Sequence, residues 1–398
     1  MREAPLPFSA PFLGEEEINE VIATLRSDWI TTGPKVKSFE EEFAARVGSP
    51  AAVALNSGTA ALHTGLAALG VGPGDAVVTT TMTFCSSVHV IEHLGARPIL
   101  VDVEPDTLNI DPDQLSDKVH AMRRGDERVR AVMPVHLYGH PCDMDPILDL
   151  ARRHNLVVVQ DAAHALAAGY KGNPIGSKAL ADGNPRVVAC FSFYATKNLT
   201  TAEGGMLAGD TQVLDEARIW SLNGMSRDAY KRYSSEGSWY YEVIRPGFKH
   251  NMTDIQAGIG LHQLNKLSQF QARRHAIADR YSEAFAALPE LQTPADSPEV
   301  EHAWHLYVVR LVEDRLKLNR NSFIEELRAR NIGTSVHFIP IHLHAYYRDK
   351  YGYQPTDFPV AYREYQRIVS LPLYPRMSDG DVEDVIDAVT DVIQRHRA

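Results

Sequence analysis

Apolar residues recur at helical spacing over residues 15–25 and again over 39–47, with the turn signal Thr31-Thr-Gly-Pro34 between them. From residue 51 the rhythm changes. Short β-rich runs at 51–55, 76–79, 98–101, 129–135, 157–160 and 187–193 alternate with helical stretches at 59–69, 86–94 and 146–154. That alternation predicts an α/β fold with a largely parallel sheet whose strands are buried on both faces. Ligands in such folds collect at the C-terminal ends of strands, and the loops starting at Asn56, Asp161 and Tyr194 all leave such ends. Beyond Gly247, helical spacing over 253–267 and 270–288 predicts a long helical region bridging two domains, with a boundary near 289–298. The remainder predicts a smaller α+β domain: a strand at 306–311, a helix at 321–330, a strand at 334–338 and a terminal helix at 379–395.

The chain has 398 residues, 44% of them hydrophobic, enough for two or three domains and a sizeable core. Its formal net charge of −11, with no Lys/Arg-rich stripe, speaks against nucleic acid as a partner. Cys85, Cys142 and Cys190 are far apart, odd in number and without CxxC spacing, so neither a disulfide framework nor a zinc site is expected. No metal ligand set is predicted elsewhere. The first residues hold no apolar signal segment, and no run of about 18 apolar residues occurs. The expectation is a protein of the reducing cytoplasm, neither exported nor embedded in a membrane.

Two strand ends carry the chemistry. The apolar run ending at Phe193 delivers Lys197, followed by the glycine-rich stretch Glu203-Gly-Gly205, which is where a Schiff-base lysine would sit. The run ending at Gln160 delivers Asp161 and His164. A lysine and a carboxylate together suit pyridoxal 5'-phosphate (PLP), which needs an amine for its aldehyde and an anion to keep its pyridine nitrogen protonated. Between a strand and a helix, Asn56-Ser-Gly-Thr-Ala60 offers backbone amides and hydroxyls as a phosphate cradle, with Gly58 and Thr59 at its centre. Simple helix capping by Ser57 or Thr59 is the alternative. Ser192 is a further phosphate donor, and Phe84 is an aromatic placed to stack on a ring, or else a core residue. Asp161 with His164 would also serve as an acid–base pair or half a metal site, but no third ligand lies nearby. HExxH, GxSxG, GxGxxG and GxxxxGK[ST] are all absent.

These motifs, with Asp28-Trp-Ile-Thr-Thr-Gly-Pro34, Pro134-Val-His-Leu-Tyr-Gly139, Asn251-Met-Thr-Asp-Ile-Gln-Ala257 and Ser370-Leu-Pro-Leu-Tyr-Pro375, resemble those of the DegT/DnrJ/StrS family of fold-type-I PLP enzymes, mostly nucleotide-sugar aminotransferases. Asp161-Ala-Ala-His-Ala165, His302-Ala-Trp-His-Leu306 and Gly247-Phe-Lys-His-Asn251 look most like the members that aminate UDP-4-keto-L-arabinose at C4. The resemblance implies a large PLP-binding domain over 1–262 with a mixed seven-stranded sheet, a bridging helix and small domain over 263–398, and a homodimer. It puts Lys197 on the cofactor aldehyde, Asp161 on the ring nitrogen, Phe84 and His164 around the ring, and Gly58, Thr59 and Ser192 on the phosphate. Asn251 would reach that phosphate from the partner subunit. Many members read Gly-x-Asn-Tyr-Arg-Met here, so Lys249 is the competing residue for this contact. Thr31, Arg227 and His337, chosen from loop position and residue type, are candidates for the sugar end. The implied reaction moves an amino group from glutamate, leaving 2-oxoglutarate, to a UDP- or dTDP-linked 4-keto sugar through pyridoxamine phosphate. C3 amination, PLP-dependent sugar dehydration and a non-catalytic regulator are the rivals. Dehydratase relatives replace the lysine by histidine, whereas Lys197 is intact, and no basic patch supports a regulator on DNA.

Overall fold

The computed structural model describes residues 2–125, 127–226 and 240–398. Helices α1 (Glu15–Arg26) and α2 (Pro34–Val47) precede the sheet. The chain then alternates β1 (Ala51–Leu55), α3 (Gly58–Ala68), β2 (Ala76–Thr80), α4 (Ser86–His93), β3 (Arg97–Val101), α5 (Pro112–Arg124), β4 (Val129–Met133), α6 (Met144–His154) and β5 (Val157–Asp161). A short hairpin, β6 (Gly169–Tyr170) and β7 (Asn173–Pro174), leads to β8 (Val187–Ser192), β9 (Gly205–Gly209) and α7 (Thr211–Ser221). Seven strands form one sheet in the order β1-β9-β8-β5-β4-β2-β3. β9 runs antiparallel to both neighbours and the other pairings are parallel. Strands such as Ala76-Val-Val-Thr-Thr80 and Val157-Val-Val-Gln-Asp161 are buried along their whole length because helices cover both faces.

Past the sheet, α8 (Asp254–Phe285) is one 32-residue helix, about 48 Å long at ~1.5 Å per residue. The two helical runs read from the sequence are therefore continuous. β10 (Leu291–Gln292) follows, then β11 (Val300–Glu301), which pairs with β6. After β12 (Tyr307–Leu311) come α9 (Arg320–Ala329), α10 (Ala345–Tyr351), α11 (Pro359–Arg367), β13 (Ile368–Leu371) and α12 (Asp379–Arg395). A second sheet, β10-β12-β13, is packed with the C-terminal half of α8, α9 and α12 around its own apolar core. A further cluster, with Met82 and Leu100 from the large sheet's side and Leu306 and Ile368 from the small one's, joins the two. Among the described residues no helix is long and apolar enough to cross a membrane.

The structure corrects several expectations. Residues 334–338 form no strand; their pairing is a single bridge between Ser335 and Ser370. Helix α2 begins at Pro34, five residues before Phe39, because Asp254 caps it from a distance: its carboxylate accepts the amides of Gly33 (2.8 Å), Val36 (3.0 Å) and Lys35 (3.1 Å). β9, α5, α7, α10, α11 and β13 were not anticipated.

Candidate active site

The C-terminal ends of β1, β2, β5 and β8 open on a cavity of about 370 Å³. Gly58, Thr59, Phe84, Asp161, His164, Ser192, Lys197 and His337 all line it, so the sequence candidates converge. Thr31 does not: it is exposed, and its carbonyl accepts the amide of Asp254. Asn251 also lies outside the cavity of its own chain. Its Nδ2 donates to Thr32 Oγ1 (2.7 Å), and Lys249 Nζ donates to its Oδ1. Arg227 lies outside the described residues.

Asp161 closes β5 and is buried. Ser87 Oγ donates to its Oδ2 (2.7 Å) and the amide of Ala163 to its Oδ1 (3.1 Å). Burial holds the carboxyl above its ordinary range, although Ser87, Ala163 and Lys197 pull it the other way. Among the described residues no arginine or lysine pairs with it, so a cationic N–H placed against it would offset the cost of burying the charge. Lys197 is the one lysine or arginine among the described residues that lines the cavity. Burial lowers its ammonium to about 8, with Asp161 opposing the shift, so roughly a tenth is neutral and nucleophilic at pH 7, far more than for an ordinary lysine, and most of it above pH 8.

The cradle is built by close approach. Ser57 caps α3, its Oγ accepting the amide of Ala60 (3.0 Å). The first-turn amides of Gly58 and Thr59 have no acceptor within the helix and carry the positive end of its dipole. A Cβ on Gly58 would stand 2.7 Å from Ser192 Cβ, and one on Gly205 would stand 2.3 Å from Ser57 O, so the turn, Ser192 and β9 meet only because both positions are glycine. Hydroxyls and amides at a helix N-terminus are the donor set a phosphate dianion requires. Cradle, carboxylate and lysine in one cavity fit PLP.

The remaining wall is aromatic. Phe84 is 56% exposed and faces the ring of Phe338 (5.8 Å). His164 stacks on Phe338 (5.7 Å, 19°) and lies 4.4 Å from the ring of His305. The amide of Tyr138 donates to His164 Nδ1 (3.2 Å), which leaves Nε2 as the protonated nitrogen of a neutral imidazole. Burial, then Lys197 and His337, press the His164 imidazolium well below its ordinary value. Tyr138 has a left-handed backbone (φ 61°), and its Oη donates to the carbonyl of His337. Sequence reasoning gave no role to Ser87, Tyr138, His305, Phe338 or Phe8. Tyr138 and His305 lie within the family-like motifs at 134–139 and 302–306, while a lone serine at a helix start carries no signal.

The profile of the DegT/DnrJ/EryC1/StrS aminotransferase family matches residues 11–390. The spore coat polysaccharide biosynthesis protein SpsC of Bacillus subtilis is 52% identical over 98% of this chain and 97% of its own length. The uncharacterized protein MJ1066 of Methanocaldococcus jannaschii is 51% identical over the full length of both. Among solved structures, the PMP form of Spr1654, a candidate sugar aminotransferase of Streptococcus pneumoniae, superposes with a TM-score of 0.89 at 37% identity, covering 98% of this chain and 99% of that one.

Proposed function

Because the chain belongs to the DegT/DnrJ/EryC1/StrS aminotransferase family, we propose that it is a PLP-dependent enzyme that takes the amino group of glutamate and delivers it to C4 of a 4-keto sugar linked to UDP or dTDP. The observation that carries this reading is the presence, in one cavity, of a lysine lowered to about 8 and a buried carboxylate that no arginine or lysine among the described residues contacts as an ion pair. Gly58 and Thr59 amides and the Ser192 hydroxyl would hold the phosphate, Asp161 the ring nitrogen, and Phe84 and His164 the ring. Asn251 would complete the phosphate shell from the other subunit of a homodimer. When bound, PLP supplies the aldehyde for the amine and an electron sink for the bond broken at the donor α-carbon.

The chain's own residues do the rest. Neutral Lys197 Nζ takes the proton from the donor α-carbon, and the same amine later returns a proton to C4 of the acceptor. Asp161 stays ionised opposite a cationic N–H, steadied by Ser87 and the Ala163 amide. His164 keeps its proton on Nε2 and donates without titrating. Thr31 and His337 are the sugar-end candidates among the described residues, and Arg227 is the third. His337 sits on the cavity wall, where burial and then Lys197 lower its imidazolium to about 4, so it is neutral in the working range.

The test is a panel of UDP- and dTDP-linked 4-keto and 3-keto sugars given to the PLP-loaded protein with glutamate. Amination of a 4-keto member is expected. Exclusive use of 3-keto members would overturn the C4 assignment, and a protein that leaves glutamate untouched would overturn the assignment of glutamate as donor.

A further inference from the structure

The residues proposed to hold the cofactor come from the ends of the large sheet's strands, yet part of the cavity's lining comes from elsewhere in the chain. Phe8 and Ser9 line it. Phe8 is half-buried and stacks on the ring of His337 (5.3 Å, 29°), whose Nδ1 lies 2.8 Å from Ser370 Oγ. Residues 2–9 reach this place by a defined route across the small core. The Leu6 amide donates to Asn331 O (2.8 Å) and the Gly333 amide to Leu6 O (2.9 Å), while the Leu6 side chain is buried in that core. Asn331 Nδ2 donates to Arg2 O (2.9 Å), and the Arg2 guanidinium donates to Asp381 (2.5 Å) and Asp384 (2.8 Å) on α12. A Cβ on Gly333 would stand 2.8 Å from Leu6 O and 2.9 Å from the Phe8 amide, so the arm passes there only over a glycine.

Through His337, which also meets Phe338 (5.1 Å), Phe8 extends an aromatic wall away from the residues proposed to hold the cofactor. The carboxylates of an amino-acid donor gain nothing from such a wall, whereas the C–H face of a sugar ring, its hydrogens weakly positive, matches the negative face of an aromatic ring. We propose that the arm of residues 2–9 is a specificity element for the acceptor: Phe8 packs against the C–H face of the keto-sugar ring, and Arg2 and Gly333 are positioning residues that hold it there. This rests on the sugar-aminotransferase reading of the site.

The two halves of the reaction separate donor from acceptor. In Phe8→Ala, the acceptor KM measured with a 4-keto nucleotide sugar, UDP-4-keto-L-arabinose first, rises about tenfold, while kcat/KM for glutamate stays within about twofold. Phe8→Tyr restores the acceptor KM to within about twofold. Arg2→Ala lies outside the cavity and therefore tests the arm even if Phe8→Ala fails to fold: amide exchange at Leu6 and Gly333 accelerates, and the acceptor KM alone rises about threefold. An acceptor KM that moves less than twofold in Phe8→Ala, or equal losses in both halves, overturns the proposal, as does an exchange-accelerated Arg2→Ala with unchanged KM. An enzyme that takes the amino group from glutamate but passes it to no keto sugar overturns the sugar reading itself, and the arm's role with it.

Discussion

In the proposed reaction Lys197 is both the covalent anchor and the proton carrier, so Lys197→Ala should lower turnover by at least ~10²–10⁴-fold while leaving the melting temperature unchanged. Retention of more than about a hundredth of the activity in steady-state assays would remove the residue from its role. The lysine also sets a pH dependence. Its folded value of about 8 lies below the ordinary 10.5, so it is charged and inert below that pH and nucleophilic above it. The rate at which the apoprotein captures PLP, followed by its visible absorption, should rise with pH and be half-maximal near 8; a midpoint near 10.5 would show a solvent-exposed amine. Lys197 and Asp161 were legible in the sequence because both residue types stand at the ends of apolar strands. Their supports were not. Ser87 lies 74 residues from Asp161 in the chain, and only the folded sheet brings its hydroxyl to the carboxylate.

Elements were legible where their own residues determine them and illegible where a distant residue does. Six of the seven buried strands of the large sheet follow from continuous apolar runs, whereas β9, Gly205-Met-Leu-Ala-Gly209, is short and bounded by glycines and gives no such signal. Helix α2 is different: its N-cap, Gly33, has no side chain to offer, so the cap arrives from Asp254, more than 200 residues away. The motifs at 28–34 and 251–257, read separately, are one structure, since Thr32 Oγ1 also donates to Met252 O (2.5 Å) and accepts from Asn251. Asp254→Asn would replace an acceptor oxygen by an NH₂ facing backbone donors and should cost ~1–3 kcal/mol, read from urea midpoints at constant m. Stability within a few tenths of a kcal/mol of the parent would mean that α2 starts without this cap. Residues 334–338 show the converse: a β-rich run remains outside both sheets because one bridge to Ser370 is all the pairing it finds.

At the scale of the molecule, the large sheet supplies the carboxylate, lysine, cradle, Phe84 and His164, the N-terminal arm and the segment before β13 add Phe8, His337 and Phe338 to the wall, and α8 contributes to both cores. Asn251 lies outside the lining of its own cavity and donates to Thr32, which fits the role proposed for it in a partner subunit. Mixing Lys197→Ala with an inactive Asn251→Ala protein should then restore up to about one quarter of the sites, because one hybrid site in each mixed dimer holds both native residues. Subunit exchange shown by mass, with no recovered activity, would confine Asn251 to its own chain. The central claim is amino-group transfer from an amino acid to a sugar, and it is tested most directly by following the nitrogen itself. With heavy-nitrogen glutamate, PLP-loaded protein and a 4-keto nucleotide sugar, the label should appear on C4 of the product sugar in one-to-one ratio with 2-oxoglutarate. Label that remains in glutamate, or leaves as free ammonia while the sugar stays a ketone, would contradict the account.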